Sequence, residues 1–166
     1  IILRVDDDGE RIPLTVAGTD KTAGTVRIIF QIVGSTTEKL NHKNEGESIH
    51  DFVGPLGTPT KLDGLKRVCI VGGGVGCAIA LPIAEALHEI TSVIGFRSKD
   101  LLILEDEFKA ASDRLIVMTD DGSYGRHGNV CVPLEEMFAA GEKFDKVITI
   151  GPLIMMKFVV AAVRPT

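Results

Sequence analysis

The second part of the chain alternates between short apolar runs and longer segments with helical spacing of apolar residues. The apolar runs predict four strands, at Val68–Val71, Ser92–Phe96, Leu115–Met118 and Lys146–Ile150. The segments after them predict four helices, near Val75–His88, Leu102–Ala111, Pro133–Ala140 and Pro152–Val163. Wholly apolar strands that alternate with helices are typical of a parallel sheet covered on both faces. We therefore predict an α/β fold, with the four strands in the order 3-2-1-4.

The first sixty residues have a different pattern, rich in β-branched residues and turns. It predicts strands over Arg11–Ala17, Gly24–Val33 and Ser48–Val53, and Ile1–Val5 resembles the middle of another strand. A short helix is predicted over Ser35–Leu40, with Ser35 as its N-cap and Glu38 completing a capping box. The turn-rich segment Gly54–Pro59 predicts a boundary, which gives domains over residues 1–60 and 61–166.

The two ends of the sequence and one predicted connection indicate whether residues are missing from it. The chain starts at Ile1 inside a strand pattern and stops at Thr166 directly after a helix, so we expect a piece of a longer protein. The predicted helix over Val75–His88 runs into the next strand with almost no connection, although such loops usually take about 2–6 residues. We therefore infer that residues are missing near Ile90.

Composition and charge exclude several classes of partner. The chain has 166 residues, 45% of them hydrophobic, one Tyr, no Trp and a net charge of −5. This balance argues against nucleic acid or an anionic membrane as the main partner. The longest apolar run, from Val147 to Val163, is interrupted by Gly151-Pro152 and Lys157 and does not predict a membrane span.

The cysteines and histidines predict no metal site. Three cysteines in apolar settings without Cys-x-x-Cys spacing are typical of a reduced cytoplasmic protein: Cys69, Cys77 and Cys131. The four histidines share no ligand spacing, so we place them on the surface or in loops: His42, His50, His88 and His127.

The segment between the first apolar strand and the first helix of the second part is the strongest chemical signal. Four glycines fall within five positions, at Gly72, Gly73, Gly74 and Gly76. A strand, a glycine turn and a helix start bring backbone N–H groups up to a diphosphate. Glycine also serves tight packing at a strand-to-helix turn, so a purely structural turn stays open.

Four blocks of sequence together resemble a known family. Gly72–Ala78, Gly95–Leu102, Thr119–Gly125 and Gly151-Pro152 come in the order seen in ferredoxin–NADP reductase-like flavoproteins. The chain is most similar to the small electron-transfer subunits of dihydroorotate dehydrogenase and of NADH-dependent ferredoxin:NADP oxidoreductase. The resemblance implies a partial antiparallel flavin-binding β-barrel in residues 1–60 and an NAD(P)-binding domain in residues 61–166.

The resemblance implies a nicotinamide coenzyme at the second domain. The diphosphate would lie on Gly72, Gly73, Gly74, Val75 and Gly76, and the nicotinamide beside Gly151 and Pro152. Asp120, Asp121 and Gly122 would meet the ribose, where carboxylates accept hydroxyl groups and favour NADH over NADPH. The competing explanation is that Asp-Asp-Gly is only a turn, while Arg97 and Lys99 could hold a 2′-phosphate or be solvated.

The resemblance also implies FAD at the first domain. Pro13, Leu14 and Thr15 match the end of the family's Arg-x-aromatic-Ser motif, but Ile12 occupies the arginine position and Arg11 precedes it. Gly34, Ser35, Thr36 and Thr37 resemble the segment that meets the FAD phosphates, although a capping box needs the same residues. Because the barrel is incomplete, we expect FAD binding by this chain to be weak or absent. A [2Fe–2S] cluster is expected only outside these residues.

The implied function is electron transfer. NADH would give a hydride to FAD, and electrons would pass to an iron–sulfur acceptor or a larger partner subunit in a hetero-oligomer. No catalytic acid or base is implied. Two alternatives stay open, a diaphorase subunit of a cytosolic hydrogenase and a non-catalytic NAD(H)-binding module.

Overall fold

The computed structural model describes residues 1–164, which divide into two compact units. The first unit is Ile1–Thr60, and the second begins at Lys61. Each unit has its own sheets, and they are described in turn.

The first unit is built from short antiparallel strands and one helix. Its elements are β1 (Ile2–Arg4), β2 (Ile12–Pro13), β3 (Val16–Asp20), β4 (Thr25–Ile28), α1 (Ser35–Asn41) and β5 (Asp51–Val53). The strands form a three-stranded sheet in the order β2-β1-β5 and a separate β3-β4 pair, all antiparallel. Leu3, Val5 and Ala17 are buried in this unit. The predicted antiparallel character is confirmed.

The strands of the first unit are shorter than predicted. The strand expected over Arg11–Ala17 is divided because its partner changes. Leu14 still exchanges backbone hydrogen bonds of 3.0 Å with Ile1, next to β1, whereas Val16 pairs with Ile28 of β4. The strand expected over Gly24–Val33 ends at Ile28, because its partner β3 begins only at Val16, which pairs with Ile28. The strand expected over Ser48–Val53 is reduced to Asp51–Val53, since β1 offers only three residues to pair.

Helix α1 begins differently from the prediction. Its N-cap is Gly34, and Ser35 is its first helical residue. The Thr37 hydroxyl, which is buried, accepts hydrogen bonds from the N–H groups of Val33 and Gly34 at 3.0 and 3.1 Å. The predicted capping box of Ser35 and Glu38 is therefore wrong, because Thr37 at the third helical position satisfies the N–H groups before the helix.

The second unit contains a five-stranded parallel sheet. Its elements are β6 (Val68–Gly73), α2 (Gly76–Glu85), β7 (Ile90–Phe96), a 3-10 helix (Lys99–Leu101), α3 (Glu105–Ala111), β8 (Arg114–Thr119), β9 (Arg126–His127), α4 (Cys131–Ala139), β10 (Lys146–Ile150) and α5 (Leu153–Val163). The strand order is β10-β6-β7-β8-β9, and each neighbouring pair is parallel. The predicted order 3-2-1-4 is confirmed, and the short β9 is added at the edge of β8.

The sheet is covered on both faces. Alternate residues of β6 contribute to opposite sides, since Val68 and Ile70 join one buried cluster and Cys69 and Val71 join another. Residues of α2 and α3, among them Leu81 and Phe108, pack in the first cluster. The second cluster takes residues from α4 and α5. This arrangement explains why the central strand β6 consists only of apolar residues and glycine.

Two connections in the second unit differ from the prediction. The predicted helix over Leu102–Ala111 is instead a 3-10 helix followed by α3, with Leu104 between them at φ +61°. Three acidic residues fill the first turn of α3, where they are favourable for the helix dipole. Helix α2 ends at Glu85, so residues 86–89 connect it to β7. The near-absent connection predicted before Ile90 is therefore wrong, because the helix ends three residues before His88.

The longest apolar run of the chain forms β10 and α5. Helix α5 has eleven residues, buries Val159 and exposes the side chains of Leu153, Ile154 and Phe158. Within residues 1–164 no helix is long and apolar enough to cross a bilayer.

Polar contacts of Arg114, Glu142 and Asp145, which we name the polar clamp, join the amino ends of β6, β8 and β10. Arg114, at the start of β8, donates two hydrogen bonds of 2.7 and 3.0 Å to the Glu142 carboxylate. The Asp145 carboxylate accepts the backbone N–H groups of Lys66 and Arg67 at 2.8 and 2.9 Å, directly before β6. These contacts hold the pKa values of Glu142 and Asp145 below their usual range. The connection between α4 and β10 is thereby fixed to the rest of the sheet.

Candidate functional site

The predicted coenzyme residues of the second unit lie at one edge of the sheet. The glycine turn ends β6, Arg97 follows β7, Asp120 follows β8 and Gly151 follows β10. Because these strands are adjacent and parallel, their carboxyl ends meet at the same edge. The structure thus brings together all the coenzyme-binding residues predicted for this unit.

The glycine turn leaves backbone donors at the start of α2. Gly74, at φ +55°, donates its N–H to the Gly95 carbonyl at 2.9 Å. The N–H groups of Cys77 and Ala78 bond to the carbonyls three residues before them, at 3.1 and 3.0 Å. The N–H groups of Val75 and Gly76 are the helix-start donors that no carbonyl within the helix can accept. A diphosphate would find its hydrogen-bond donors at these two residues.

The four glycines of the turn have different roles. A Cβ on Gly76 would stand 2.5 Å from the Ile150 carbonyl oxygen, and one on Gly72 would stand 2.8 Å from the Cys77 sulfur. A Cβ on Gly73 would overlap the Met155 side chain. At Gly74 a Cβ would meet nothing within 4 Å. Gly72, Gly73 and Gly76 therefore serve close packing, whereas Gly74 borders open space that a ligand can occupy.

The loops after β7 and β8 lie against each other. The N–H of Asp120 bonds to the Phe96 carbonyl at 3.0 Å, and that of Asp121 bonds to the Arg97 carbonyl at 3.2 Å. Gly122 completes the turn at φ +71°. Arg97 and Asp120 are exposed, and within the part of the chain that the structure describes their side chains make no hydrogen bond or ion pair. Both are available to a ligand.

Asp121 and Lys99 have internal partners. The Asp121 carboxylate accepts the Ser123 N–H at 2.9 Å and the Ser123 hydroxyl at 2.6 Å, which lowers the pKa of Asp121. The Lys99 ammonium lies 5.4 Å from the centre of the Tyr124 ring, and the Tyr124 hydroxyl donates to Glu105 at 3.0 Å. Asp121 therefore takes part in the turn through its carboxylate, whereas Arg97 and Asp120 keep side chains without an internal partner among the described residues.

Gly151 and Pro152 lie beside the glycine turn. A Cβ on Gly151 would stand 2.6 Å from the Met155 methyl carbon and 3.1 Å from the Gly73 Cα. Pro152 caps α5 and is exposed. The absence of a side chain at position 151 is what allows the ends of β6 and β10 to approach this closely.

The predicted flavin residues fit an FAD only in part. Pro13 and Thr15 are exposed at the break between β2 and β3, where Leu14 is half-buried. Arg11 donates to the Asp51 carboxylate at 2.7 Å and so has a partner on β5. In the second segment the Gly34 N–H bonds to the buried Thr37 hydroxyl. This leaves Ser35 and Thr36 as the residues of that segment with exposed surface and no role in the cap.

The cysteines are buried, free thiols. Burial raises the pKa values of Cys69 and Cys77 to about 12 and also raises that of Cys131. All four histidines are exposed. Among residues 1–164 no group of three or more His, Cys, Asp and Glu side chains is placed to hold a metal ion.

Two parts of this edge were not predicted from the sequence. Ser123 links the two loops, and Gly95 provides close approach, since a Cβ there would overlap Val130. The Asp-x-Ser spacing at 121–123 is a signal for Ser123, because Asp side chains bond to the backbone two residues on. The overlap at Gly95 depends on a residue distant in the sequence and gives no local signal.

No family model matches the chain, but curated relatives do. The chain is 49% identical over 162 residues to a dihydroorotate dehydrogenase B (NAD(+)) electron transfer subunit homolog of Thermotoga maritima, covering 95% of this chain and 57% of the relative. It is 36% identical over 166 residues to the dihydroorotate dehydrogenase B (NAD(+)) electron transfer subunit of Streptococcus pneumoniae. That match covers 95% of this chain and 63% of the relative. The chain thus spans about 57–63% of the length of these relatives.

A solved structure agrees with these relatives. The chain superposes with a TM-score of 0.88 and 46% identity on an NADH-dependent reduced ferredoxin-NADP oxidoreductase, a structure described for flavin-based electron bifurcation. The superposition covers 97% of this chain and 59% of the other. The resemblance to the ferredoxin–NADP reductase-like oxidoreductases is therefore confirmed, and the homologues of the chain are named as electron transfer subunits of dihydroorotate dehydrogenase B.

Proposed function

We propose that this chain is the NADH-oxidising part of a flavin-dependent electron transfer subunit. The observation that carries the proposal is the turn at Gly74, which has positive φ, open space and two helix-start N–H donors at the carboxyl edge of a parallel sheet. The relatives, named as NAD(+)-linked electron transfer subunits, support the same function. We further propose that electrons pass to a larger partner subunit through an iron–sulfur centre that these cysteines do not form.

Each element of the edge has a separate task in this proposal. The N–H groups of Val75 and Gly76, with the dipole of α2, bind the diphosphate. Asp120 accepts ribose hydroxyls, and Gly151 with Pro152 borders the nicotinamide. The segments Pro13–Thr15 and Gly34–Thr37 would hold FAD, which would supply acceptance of the hydride from NADH and release of electrons one at a time. The protein contributes orientation of the two rings and exclusion of water, so no side-chain acid or base is required.

The direct test is anaerobic addition of NADH to the chain at an FAD concentration high enough to occupy a weak site. We expect bleaching of the visible flavin absorbance in proportion to the NADH added. The specific alternative is a non-catalytic NAD(H)-binding module, favoured by the partial fit of the flavin segments around Arg11 and Thr37. NADH binding without any bleaching would support that alternative and contradict the proposal.

Coenzyme selectivity is the first expected consequence. We expect NADH to be preferred over NADPH by about one to two orders of magnitude in kcat/KM, because the Asp120 carboxylate repels a 2′-phosphate. Attraction between the exposed Arg97 and a 2′-phosphate offsets little of this repulsion, since solvated ion pairs contribute little to binding free energy. Steady-state kinetics with both coenzymes provide the measurement.

The matched variants are Asp120→Asn and Arg97→Gln, which remove one charge each. Asp120→Asn is expected to raise the relative efficiency with NADPH about tenfold, whereas Arg97→Gln leaves the NADH efficiency within about twofold. An NADPH preference in the unaltered protein would show instead that Arg97 determines the choice.

FAD binding by this chain is the second expected consequence. Within the described residues the first unit has two separate small sheets and no closed barrel. An open strand edge leaves apolar area unburied, at a cost of about 25 cal/mol per Å². We therefore expect equilibrium dialysis to show weak FAD binding by the 166-residue chain and tight binding by the longer Thermotoga maritima relative. Stoichiometric FAD on the 166-residue chain would contradict the placement of the flavin.

A further inference from the structure

The two loops that carry Arg97 and Asp120 are joined by a chain of hydrogen bonds through one hydroxyl. The backbone N–H of Lys99 donates to the Ser123 hydroxyl oxygen at 2.8 Å. That hydroxyl donates to the Asp121 carboxylate at 2.6 Å. We name Lys99, Ser123 and Asp121 the Ser123 chain.

The chemistry of its members fixes the direction of the Ser123 chain. A backbone N–H only donates, and an ionised carboxylate only accepts, so the hydroxyl must accept from Lys99 and donate to Asp121. The carboxylate also accepts the Ser123 N–H at 2.9 Å, and its pKa lies below the usual range. Asp121 is therefore ionised at neutral pH, and all the links of the chain are formed there.

Other contacts hold the far side of the turn after β8, where Tyr124 bonds to the Thr119 hydroxyl through its N–H and its carbonyl and to Glu105 through its own hydroxyl. The links between the two loops are fewer. Lys99, Asp121 and Ser123 are exposed, as are Arg97 and Asp120. The backbone bonds from Asp120 and Asp121 to the carbonyls of Phe96 and Arg97 fix only the residues nearest the strand ends. Beyond them, the Ser123 chain ties the start of the 3-10 helix to the turn after β8. The Lys99 ammonium group also lies over the Tyr124 ring.

We propose that Ser123 is a positioning residue for coenzyme selection. Through Lys99 and Asp121, it holds the Arg97 and Asp120 loops in a fixed relation, so that a ribose 2′-hydroxyl is accepted and a 2′-phosphate is excluded. The inference rests on the proposed function. It assigns the selecting charge to Asp120 and gives Asp121 the separate task of anchoring the loops.

The test is coenzyme binding by the Ser123→Ala variant. Titration calorimetry with NADH and with NADPH gives the ratio of the two dissociation constants without any need for flavin turnover. Loss of one positioning hydrogen bond is expected to reduce the preference for NADH about threefold to tenfold. Amide hydrogen exchange at Lys99 is expected to become faster in the same variant.

Three further variants isolate the Ser123 chain. Ser98→Ala removes a hydroxyl from the loop that carries Lys99. The Ser98 hydroxyl makes no capping hydrogen bond to the 3-10 helix, so the ratio of the NADH and NADPH dissociation constants should equal that of the unaltered protein. Ser123→Thr keeps the hydroxyl and should restore the ratio. Asp121→Asn keeps an acceptor oxygen and should change the ratio less than Asp121→Ala, which removes the anchor.

The outcomes separate this inference from the function on which it rests. No NADH binding by the unaltered protein would contradict the proposed function, and the inference with it. An unchanged ratio of the two dissociation constants in Ser123→Ala would overturn the inference alone, even if the affinities for both coenzymes fell equally. A merely structural role does not change selectivity. A lowered ratio that Ser123→Thr restores would establish the inference.

Discussion

Replacing Gly74 by Val is expected to reduce NADH affinity by at least about a hundredfold, equivalent to about 2.7 kcal/mol of binding free energy. A Cβ at position 74 meets no protein atom within 4 Å, so the branched side chain would occupy the space that we assign to the diphosphate. Titration calorimetry with NADH provides the measurement. Unchanged affinity in a folded Gly74→Val variant would contradict a diphosphate at this turn.

A matched control separates lost binding from backbone strain. Gly64 has φ +75°, also meets nothing within 4 Å, and precedes β6 at the opposite end of the strand from Gly74. An L-residue at such a φ costs about 1–2 kcal/mol of stability in either variant. Gly64→Val should therefore lower the melting temperature about as much as Gly74→Val, while its NADH affinity stays unchanged.

Replacing Gly76 by Ala is expected to destabilise the second unit. The added Cβ would stand 2.5 Å from the Ile150 oxygen, 2.8 Å from the Ile150 carbonyl carbon and 2.9 Å from the Gly151 Cα. All three are backbone atoms, so α2 must shift away from β10. Overpacking of this kind costs about 1–3 kcal/mol, which lowers the Tm of a domain near 100 residues by about 5–20 °C.

Thermal unfolding followed by circular dichroism measures this effect. The unaltered protein is the reference, because Gly74→Ala would itself lose stability at the positive φ of position 74. Equal melting temperatures for Gly76→Ala and the unaltered protein would show that α2 does not pack closely on β10. Lost NADH binding in a Gly76 variant would not by itself identify a ligand contact, because the same substitution displaces the helix.

The sequence predicted the buried centre of the fold better than its edges. Strand β10 was predicted at its observed bounds, because its β-branched residues favour a strand and Gly151-Pro152 ends the run directly after it. In contrast, β9 has two exposed residues that pair with the end of β8, and no local pattern indicates them. The break at Leu104 was also missed, because Leu102 and Ile103 pack on the core without being helical.

The sequence predicted where the candidate site lies but not which of its residues pack against the protein and which face open space. The order of the glycine blocks indicated which strand ends meet. Only the structure separates Gly74 from Gly76, because the difference lies in contacts with Ile150, which is distant in sequence. It likewise separates Asp120 from Asp121, since two adjacent carboxylates are equivalent until Ser123 bonds to one of them.

The polar clamp at the amino ends of the strands has a consequence for evolution and engineering. Glu142 and Asp145 fasten β6, β8 and β10 at the end opposite to the coenzyme loops. Mutational effects at well-separated sites without shared partners are close to additive. The loops after β7 and β8 can therefore exchange residues to accept a different nucleotide without loosening the clamp. Under the proposed function, coenzyme preference can thus be changed independently of stability, and loop grafts between relatives should preserve the stability of this scaffold.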